Sequence, residues 1–249
     1  MYLASQRKEF ILKTLAEHGA ARTIALAKQM KVTDETVRND LINLEKRGFL
    51  KRVHGGALAL NHKSLHEDIV THDNVSLDIA KKACEYILDS TVVFIDSNTI
   101  GYQICNHINS KDAYVVSNNP MLLNRLAGIP ELNFYSTGGI FDREAQVYLG
   151  QDAAVAAGAL HIDLVILTPD SYSPKHGAGY KNMLQSEFIK SIIPQNAKVI
   201  IALPSANITN TAAFYIVNPS QTFKLITDSS IHSETKELIE NTGVKIDIV

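Results

Sequence analysis

One predicted helix near the N-terminus carries residue types that hydrogen-bond to nucleic acids. Val37, Leu41 and Leu44 recur at i, i+4 and i+7, so they form one apolar stripe, and polar side chains occupy the opposite face. Hydroxyl, amide and guanidinium groups at such positions suit base edges and phosphates. The predicted contact residues are Thr33, Thr36, Arg38, Asn39 and Asn43. The pattern therefore predicts a helix that contacts DNA.

A short basic hairpin is predicted directly after this helix. Gly55 and Gly56 lie between two short runs that contain apolar residues, and such a pair is typical of a two-residue turn whose central residues both need a positive φ. Lys51, Arg52 and His54 lie on the strand that leads into the turn. A basic hairpin of this kind is a wing, which contacts a phosphate backbone or a minor groove.

Small polar residues follow four predicted strands farther along the chain, and they predict a ligand site. Backbone amides at a helix N-terminus bind anions, and a Gly-Gly pair allows another group to approach closely. A single such loop is better explained by helix capping, but four loops at the same ends of parallel strands favour a shared pocket. The predicted ligand-binding residues are Asp96, Ser97, Asn98, Thr99, Asn118, Gly138, Gly139, Ser205 and Asn207.

Three helices must position the DNA-contacting residues. Ser5, Thr23 and Thr33 are suitable N-caps for them, because a hydroxyl oxygen accepts a hydrogen bond from a free backbone amide. Gly19 and Gly48 are suitable stops for the first and third helices. Together with the hairpin, this order predicts a winged helix-turn-helix domain.

Alternating strands and helices must position the ligand-binding loops. Short, wholly apolar strands separated by helical segments are typical of a largely parallel sheet covered on both faces, which is an α/β fold. The predicted strands are 92–95, 114–116, 132–135, 164–167, 199–202, 223–226 and 244–248, and the predicted helices are 76–88, 101–108, 121–126 and 234–241. The chain is thus predicted to have a DNA-binding domain (1–60), a polar linker (61–74) and an α/β effector domain (75–249).

Composition and charge fit a globular protein with two different surfaces. The 249 residues are 45% hydrophobic and include 13 Gly and 7 Pro without a short repeat, which excludes collagen-like and solenoid architectures. Residues 1–60 carry 11 Lys or Arg and 6 Asp or Glu, a net charge of +5, whereas the remainder carries 13 and 20, a net charge of −7. The basic part is expected to meet a polyanion.

Several other partners and sites are not expected. Every apolar run is shorter than the roughly 20 residues that span a bilayer, and no secretion signal is recognised, so a cytoplasmic protein without a membrane partner is predicted. Cys84 and Cys105 lack metal or redox spacing. His62, His66 and His72 are predicted to be solvent-exposed linker residues, and Gly177–Gly179 is predicted to be a flexible loop. No metal and no cofactor are expected.

The N-terminal segments resemble the head of the DeoR-type family of bacterial transcriptional regulators. The family pattern Val-Ser-x-x-Thr-Ile-Arg-Arg-Asp-Leu is similar to residues 32–41, with Thr33 for the serine, Val37 for the isoleucine and Asn39 for the second arginine. The family wing, His-Gly-Gly-Ala, is matched by residues 54–57. The resemblance implies binding to double-stranded operator DNA, and Asn39 removes one cation from the DNA face.

The later loops resemble the sensor domain of the same family, which shares its fold with sugar-phosphate isomerases such as ribose-5-phosphate isomerase and with glucosamine-6-phosphate deaminase. The resemblance implies a small-molecule effector, by family a phosphorylated sugar, and adds Glu187 of a Glu-x-x-Lys pattern to its site. Asn98 and Ile100 break the family's Asp-x-Gly-Thr-Thr loop. Pro204 and Asn207 replace its usual aspartate and lysine, so a sugar phosphate is expected to lose a charge-assisted contact of about 1.5–3 kcal/mol.

Two interpretations of the effector domain stay open. In the first, the chain is a repressor of carbohydrate genes that senses a metabolite and works as a homo-oligomer, because paired heads multiply a modest DNA affinity. Lys175 or Lys181 then supplies the missing cation, or the effector is altered in charge, weakly bound or absent. In the second, the chain is a sugar-phosphate isomerase-like or deaminase-like enzyme with Asp96, Asp170 or Glu187 as the base. The DNA-binding head and the missing lysine favour a regulator without catalytic residues.

Overall fold

The chain forms two compact units, residues 1–68 and 69–249. The computed structural model describes residues 4–46, 49–53, 55–59, 74–96, 98–193, 197–209 and 211–249. The predicted linker, 61–74, lies outside the described residues except for Asn74, and so does the predicted domain boundary at residue 60. Both therefore stay predictions.

The first unit is a winged helix-turn-helix fold, as the sequence predicts. Its elements are α1 Ala4–His18, β1 Ala20–Arg22, α2 Thr23–Met30, α3 Asp34–Lys46, β2 Leu50–Val53 and β3 Gly56–Ala59. The strands form an antiparallel sheet in the order β1-β3-β2. Strand β1 was not predicted, because a three-residue strand is too short to show a hydrophobic period.

The starts of the first two helices differ from the prediction. Ser5 lies inside α1, which begins one residue earlier, so Ser5 is not its N-cap. Thr23 is the first residue of α2, and Arg22 holds the cap position with an extended backbone because β1 runs directly into the helix. Gly19 ends α1 as predicted, with φ 70, whereas Gly48 lies outside the described residues.

The hairpin turn is displaced by one residue from the predicted Gly-Gly pair. Val53 pairs with Gly56, and Gly55, which lies in the turn between these two residues, has φ 82. Gly56 is the first residue of β3, where a Cβ would lie 2.2 Å from the carbonyl oxygen of Ala21. The first glycine thus serves the turn, and the second allows two strands to approach closely.

Apolar side chains from the three helices and the hairpin meet in one core. The predicted stripe of α3 is confirmed, because Val37, Leu41 and Leu44 are at most 2% exposed. The core also contains Ile11, Leu15, Leu26, Met30, Leu50 and Ala57. Burial of this stripe turns the opposite face of α3 toward solvent.

The second unit contains the predicted parallel sheet with all seven predicted strands. They are β4 Val92–Ile95, β5 Tyr114–Ser117, β6 Asn133–Ser136, β9 Leu164–Leu167, β12 Lys198–Ala202, β14 Lys224–Thr227 and β15 Lys245–Ile248, and every neighbouring pair is parallel. Their order is β15-β14-β12-β9-β4-β5-β6. The predicted helices are α4 Asn74–Cys84, α5 Thr99–His107, α6 Pro120–Leu126 and α9 Ser233–Glu240, of which α4 ends four residues before the predicted end at Leu88. Two apolar cores, one on each face, bury the sheet.

Elements that the sequence did not predict lie beside this sheet. They are the hairpin strands β7 Ile140–Asp142 and β8 Val147–Leu149, the helices α7 Gln151–Gly158 and α8 Met183–Ile192, and a small antiparallel sheet of β10 Ser171–Ser173, β11 Gly177–Tyr180 and β13 Phe214–Val217. The prediction of a flexible loop at Gly177–Gly179 is wrong, because this segment is the buried central strand of the small sheet. A Cβ on Gly177 would lie 1.9 Å from the carbonyl oxygen of Val217, so a glycine is needed there.

Both cysteines are free thiols of the second unit. Burial raises the pKa of Cys84 and of Cys105 to about 12, so neither is a thiolate near neutral pH. In the part of the chain that the structure describes, no helix is long and apolar enough to cross a membrane. Among those same residues, no cluster of three or more His, Cys, Asp or Glu side chains is arranged to hold a metal ion. His62, His66 and His72 lie outside the described residues.

Candidate DNA-binding face and effector cleft

The predicted DNA-contacting helix α3 follows a tight turn. Lys31 ends α2 in the left-handed conformation with φ 55. Two residues later, Thr33 caps α3 as predicted, because its Oγ1 accepts a hydrogen bond from the backbone N of Thr36 at 3.2 Å. Asp34 and Glu35 lie in the first turn, where the helix dipole favours anions.

The predicted contact residues lie on the solvent side of α3. Asn39 and Asn43 are exposed and one turn apart. The Arg38 side chain is 61% exposed, and its guanidinium lies 3.8 Å from the exposed Glu35 carboxylate, a pair worth less than about 1 kcal/mol in water. Thr36 is half-buried, and its hydroxyl shares a 2.8 Å hydrogen bond with the N-cap threonine. The amides and the guanidinium are therefore accessible to a partner, and the Thr36 hydroxyl is committed to the cap.

Helix α3 also positions the wing. Glu45 accepts a hydrogen bond from the backbone N of Arg52 at 2.7 Å, and its second carboxylate oxygen lies 3.7 Å from the Arg52 guanidinium. Lys51 is exposed on the same strand, whereas His54 lies outside the described residues. Sequence reasoning gave Glu45 no role, although an acid in the last turn of a helix is unfavourable and needs a partner. This carboxylate holds β2 against α3.

A bidentate ion pair joins α1 to α3. Arg7 donates from Nε to Asp40 Oδ2 at 2.7 Å and from Nη2 to Oδ1 at 3.3 Å. The two side chains are 16% and 7% exposed. The hydrogen bond to Asp40 raises the pKa of Arg7. Sequence reasoning missed this pair, because its members are 33 positions apart.

The second unit has a cleft of about 390 Å³ just beyond the carboxyl ends of β4 and β9, where ligands of parallel α/β sheets bind. Asn98 and Asn207 are the predicted effector residues among its lining. The other lining residues are Glu144, Ala145, Thr168, Pro169, Asp170, Tyr180, Lys181, Asn182 and Gln185. Tyr180 comes from the small sheet and Gln185 from α8, which the sequence did not predict, and the others lie in the turn between β7 and β8 and in the loops after β9 and β11.

Asp96 lies behind the cleft lining. It is 1% exposed, and its Oδ2 accepts hydrogen bonds from the Tyr180 hydroxyl at 2.5 Å, the Thr168 backbone N at 3.2 Å and the Thr168 hydroxyl at 3.4 Å. Burial, with the Asp96 charge, raises the pKa of Tyr180 well above its usual range, so the phenol keeps its proton and donates. Asp96 therefore joins β4 to β9 and β11.

Asn98 caps α5 with its own side chain. Its Oδ1 accepts hydrogen bonds from the backbone N of Ile100 at 2.8 Å and of Gly101 at 3.2 Å, and its Nδ2 donates to the carbonyl oxygen of Thr168 at 3.0 Å. Thr99 is the first residue of α5, and Ser97 lies outside the described residues. Two amides of the predicted anion cradle are thus already satisfied.

In the loop after β12, the polar groups of Ser205 also have hydrogen-bond partners within the chain. Ser205 donates from its backbone N and its hydroxyl to the Asp228 carboxylate at 2.6 and 2.8 Å. Burial of Asp228 opposes its ionisation, but the hydrogen bonds from Ser205 and Ser230 outweigh burial and hold its pKa below the usual range. Ser205 is therefore engaged with a neighbouring strand end.

The remaining predicted effector residues hold loops together. Asn118 is buried and donates to the carbonyl oxygen of Tyr148 at 2.9 Å, and its Oδ1 has no partner among the described residues. Gly139 has φ 111, and a Cβ there would lie 2.7 Å from the carbonyl oxygen of Leu149. The group that approaches this glycine closely is thus the chain itself.

Gly138 and Glu187 do not belong to the described lining of the cleft. Gly138 has φ 60 with open space around its Cα, so its glycine serves the backbone turn. Glu187 lies exposed on α8, whose neighbouring residues Ser186 and Phe188 are buried. Of the predicted effector residues, the described cleft lining therefore contains Asn98 and Asn207, and effector binding by any of them stays a prediction.

Comparison with known families agrees with both units. Residues 7–63 match the DeoR-like helix-turn-helix domain, and residues 73–229 match the DeoR C-terminal sensor domain. A helix-turn-helix joined to a sensor domain defines a DNA-binding regulator of transcription. The chain belongs to the DeoR family of transcriptional regulators.

Three curated relatives cover almost the whole chain. A putative aga operon transcriptional repressor of Escherichia coli O157:H7 is 24% identical over 98% of this chain and 94% of its own. An L-fucose operon activator of Haemophilus influenzae is 21% identical over 96% and 97%. The transcriptional repressor GlcR of Bacillus subtilis is 24% identical over 97% and 95%. The chain is therefore similar over its full length to both repressors and activators.

Proposed function

We propose that this protein is a cytoplasmic repressor of carbohydrate-metabolism genes whose operator affinity is modulated by a small molecule. The observation that carries the proposal is the exposed polar face of α3, held by Glu45 beside the basic strand β2. The names of the relatives, which include an aga operon transcriptional repressor and an L-fucose operon activator, support the class of target gene. The cleft at the carboxyl edge of the parallel sheet supports a small-molecule effector.

The head binds double-stranded DNA with α3 in the major groove. Asn39 and Asn43 present amides, which pair best with adenine, and Arg38 reaches guanine or phosphate. Lys51 and Arg52 on the wing contact the phosphate backbone, which sets register without reading sequence. One small head gives modest affinity, so the protein acts as a homo-oligomer that places two heads on paired half-sites.

The effector acts by binding two conformations with different affinity. A ligand that prefers the conformation unfit for DNA binding lowers operator occupancy, and operator DNA lowers ligand affinity by the same factor. Repression and its release need no catalytic turnover.

The placement of the candidate bases favours sensing over catalysis. Asp96 is buried and accepts hydrogen bonds from Tyr180 and Thr168, and Glu187 is exposed on α8 and does not belong to the described cleft lining. Asp170 lines the cleft, but its Oδ2 accepts a hydrogen bond from the backbone N of Lys181 at 2.7 Å. We expect ribose 5-phosphate and glucosamine 6-phosphate to remain unconverted by the purified protein. Turnover that disappears in Asp170→Asn would identify an enzyme instead.

Gel-shift titration of the full-length protein on its own upstream region tests DNA binding. Arg38→Ala is expected to weaken binding and to reduce the slope of log K against log salt by about 0.9, the value of one lost phosphate contact. Lys245→Ala, which removes an exposed cation from the second unit, is the matched control and should bind as the parent does. Equal affinity and equal salt slope for Arg38→Ala and the parent would contradict the proposal.

A further inference from the structure

We infer that the cleft of the second unit takes a hydroxyl-bearing small molecule without negative charge, either uncharged like a free sugar or cationic like an amino sugar. This inference rests on the proposed effector role of the cleft and names the class of its ligand. The cleft is the one described above, between the strand ends of β4 and β9, the small sheet and α8.

Several donors that could hold a phosphate around the cleft are used by the chain itself. The amides of Ile100 and Gly101 donate to Asn98, and the amide of Gln185 donates to Asn182 Oδ1 at 3.0 Å. A phosphate binds at a helix N-terminus because such amides are free. Here the cap side chains of α5 and α8 occupy these three amides.

Hydrogen-bond donors at the edge of the cleft and behind its lining are also used within the chain. The backbone N and hydroxyl of Ser205, in the loop that leads to Asn207, donate to Asp228. The hydroxyl of Tyr180 donates to Asp96 at 2.5 Å. A dianionic ligand would have to displace these intramolecular bonds before it gained its own, which removes the advantage of a preorganised anion site.

The ionisable lining has the wrong sign for a phosphate ester. Among the described lining residues, Glu144 and Asp170 are exposed carboxylates and Lys181 is the exposed cation. The buried carboxylate of Asp96 lies directly behind the lining residue Tyr180. A phosphate carries a charge near −2 at neutral pH and is repelled by this arrangement, whereas an ammonium is attracted.

The lining offers acceptors to a ligand rich in donors. Carboxylates accept hydrogen bonds and do not donate them, so Glu144 and Asp170 suit ligand O–H or N–H groups. The amide side chains of Gln185 and Asn207 can donate or accept and therefore suit hydroxyls. This set of groups is typical of polyol recognition.

Calorimetric titration of the full-length protein with matched sets of ligands tests the class directly. Each set contains a free hexose, its 2-amino derivative and its 6-phosphate, so that the ring is shared and the charge is zero, positive or negative. We expect the free or amino form to bind at least about tenfold more tightly than the phosphate in any set that binds, which corresponds to one charge-assisted contact or more. A 6-phosphate that binds as tightly as its free hexose, or more tightly, would overturn the inference.

Inorganic phosphate tests the occupied amides without requiring the natural ligand. Asn98→Gly removes the cap from the amides of Ile100 and Gly101, and we expect it to bind phosphate at least about tenfold more tightly than the parent. Asn119→Gly is the matched control, because Asn119 caps α6 through the backbone N of Met121 and does not belong to the described cleft lining. Glu144→Gln leaves every cap intact and should tighten phosphate binding roughly threefold.

The phosphate titrations of the parent and the variants test the inference even if no hexose set binds. Saturable phosphate binding by the parent, or no gain in both Asn98→Gly and Glu144→Gln, would show that the occupied amides and the acidic lining do not exclude anions. Circular dichroism confirms that each variant is folded. Operator binding by the parent without any ligand is measured separately. If only the ligand class is wrong, the parent still binds the operator. If the proposed function is wrong, the parent does not bind the operator.

Discussion

The ion pair between Arg7 and Asp40 should hold the DNA-contacting helix against α1. Both nitrogens of a guanidinium fork reach the two carboxylate oxygens at 2.7 and 3.3 Å, and Asp40 is 7% exposed. Arg7→Ala leaves this carboxylate poorly solvated without its cation, and Asp40→Ala removes the carboxylate that accepts both hydrogen bonds from the guanidinium. Each single change is expected to destabilise the first unit by about 2–3 kcal/mol.

A double-mutant cycle separates the pair from these side effects. Because the Arg7 side chain is 16% exposed, some of its charge is screened, and the coupling energy should be about 1–2 kcal/mol rather than the larger value of a fully buried pair. Arg38 and Glu35 provide a matched control in the same unit, since they lie 3.8 Å apart with side chains 61% and 71% exposed. Their coupling should be below about 0.5 kcal/mol.

Hydrogen exchange of the full-length protein measures the effect locally, because two units need not unfold together. Peptides from α1 and α3 should lose protection in either single variant of the first pair, and peptides from the seven-stranded sheet should not change. Equal coupling energies for the two pairs would refute the reasoning, because it assigns the difference to burial and bidentate geometry.

Two further predictions concern a glycine and a carboxylate. Gly56→Ala should break the β1–β3 pairing at the carbonyl of Ala21 and weaken operator binding, whereas Gly55→Ala, with open space around it, should cost only about 1–2 kcal/mol of backbone strain; exchange of β1 amides compares them. Asp228 has a folded pKa below that of the unfolded chain, so its stabilising contribution is complete above the unfolded pKa and is lost as the pH falls through the folded pKa. Asp228→Asn should therefore lower the stability of the second unit at pH 7 and flatten its decline in acid, and parallel slopes of unfolding free energy against pH would contradict this.

The repeating parts of the fold could be predicted from the sequence, because they follow a hydrophobic period. The stripe of Val37, Leu41 and Leu44 and the apolar runs of all seven parallel strands were located within a residue or two. The small sheet was missed because β10 and β11 consist of Ser, Gly, Ala and Tyr. Gly177 and Gly179 are there because neighbouring backbones leave no room for a Cβ, and a sequence pattern does not show that contact.

The cleft was only partly predictable for a related reason. Its position followed from the rule that strand ends hold the ligand, but its lining comes mainly from loops, which have no apolar period. The sequence does contain one usable signal, since Asn182 three residues before Gln185 at the start of an apolar helix is typical of a capped N-terminus. That signal predicts the start of α8 and therefore places Asn182 and Gln185 near the cleft.

The polar loop residues show why capping and ligand binding are hard to separate in a sequence. Both need a short side chain with an acceptor next to free amides, so Asn98 satisfies either pattern equally well. Geometry separates them, because one oxygen at 2.8 and 3.2 Å from two amides leaves those amides unavailable to a ligand. Asn98 replaces a glycine of the family loop, and Asn207 replaces its lysine. Both departures line the same cleft, and we infer that both reduce its capacity to bind anions.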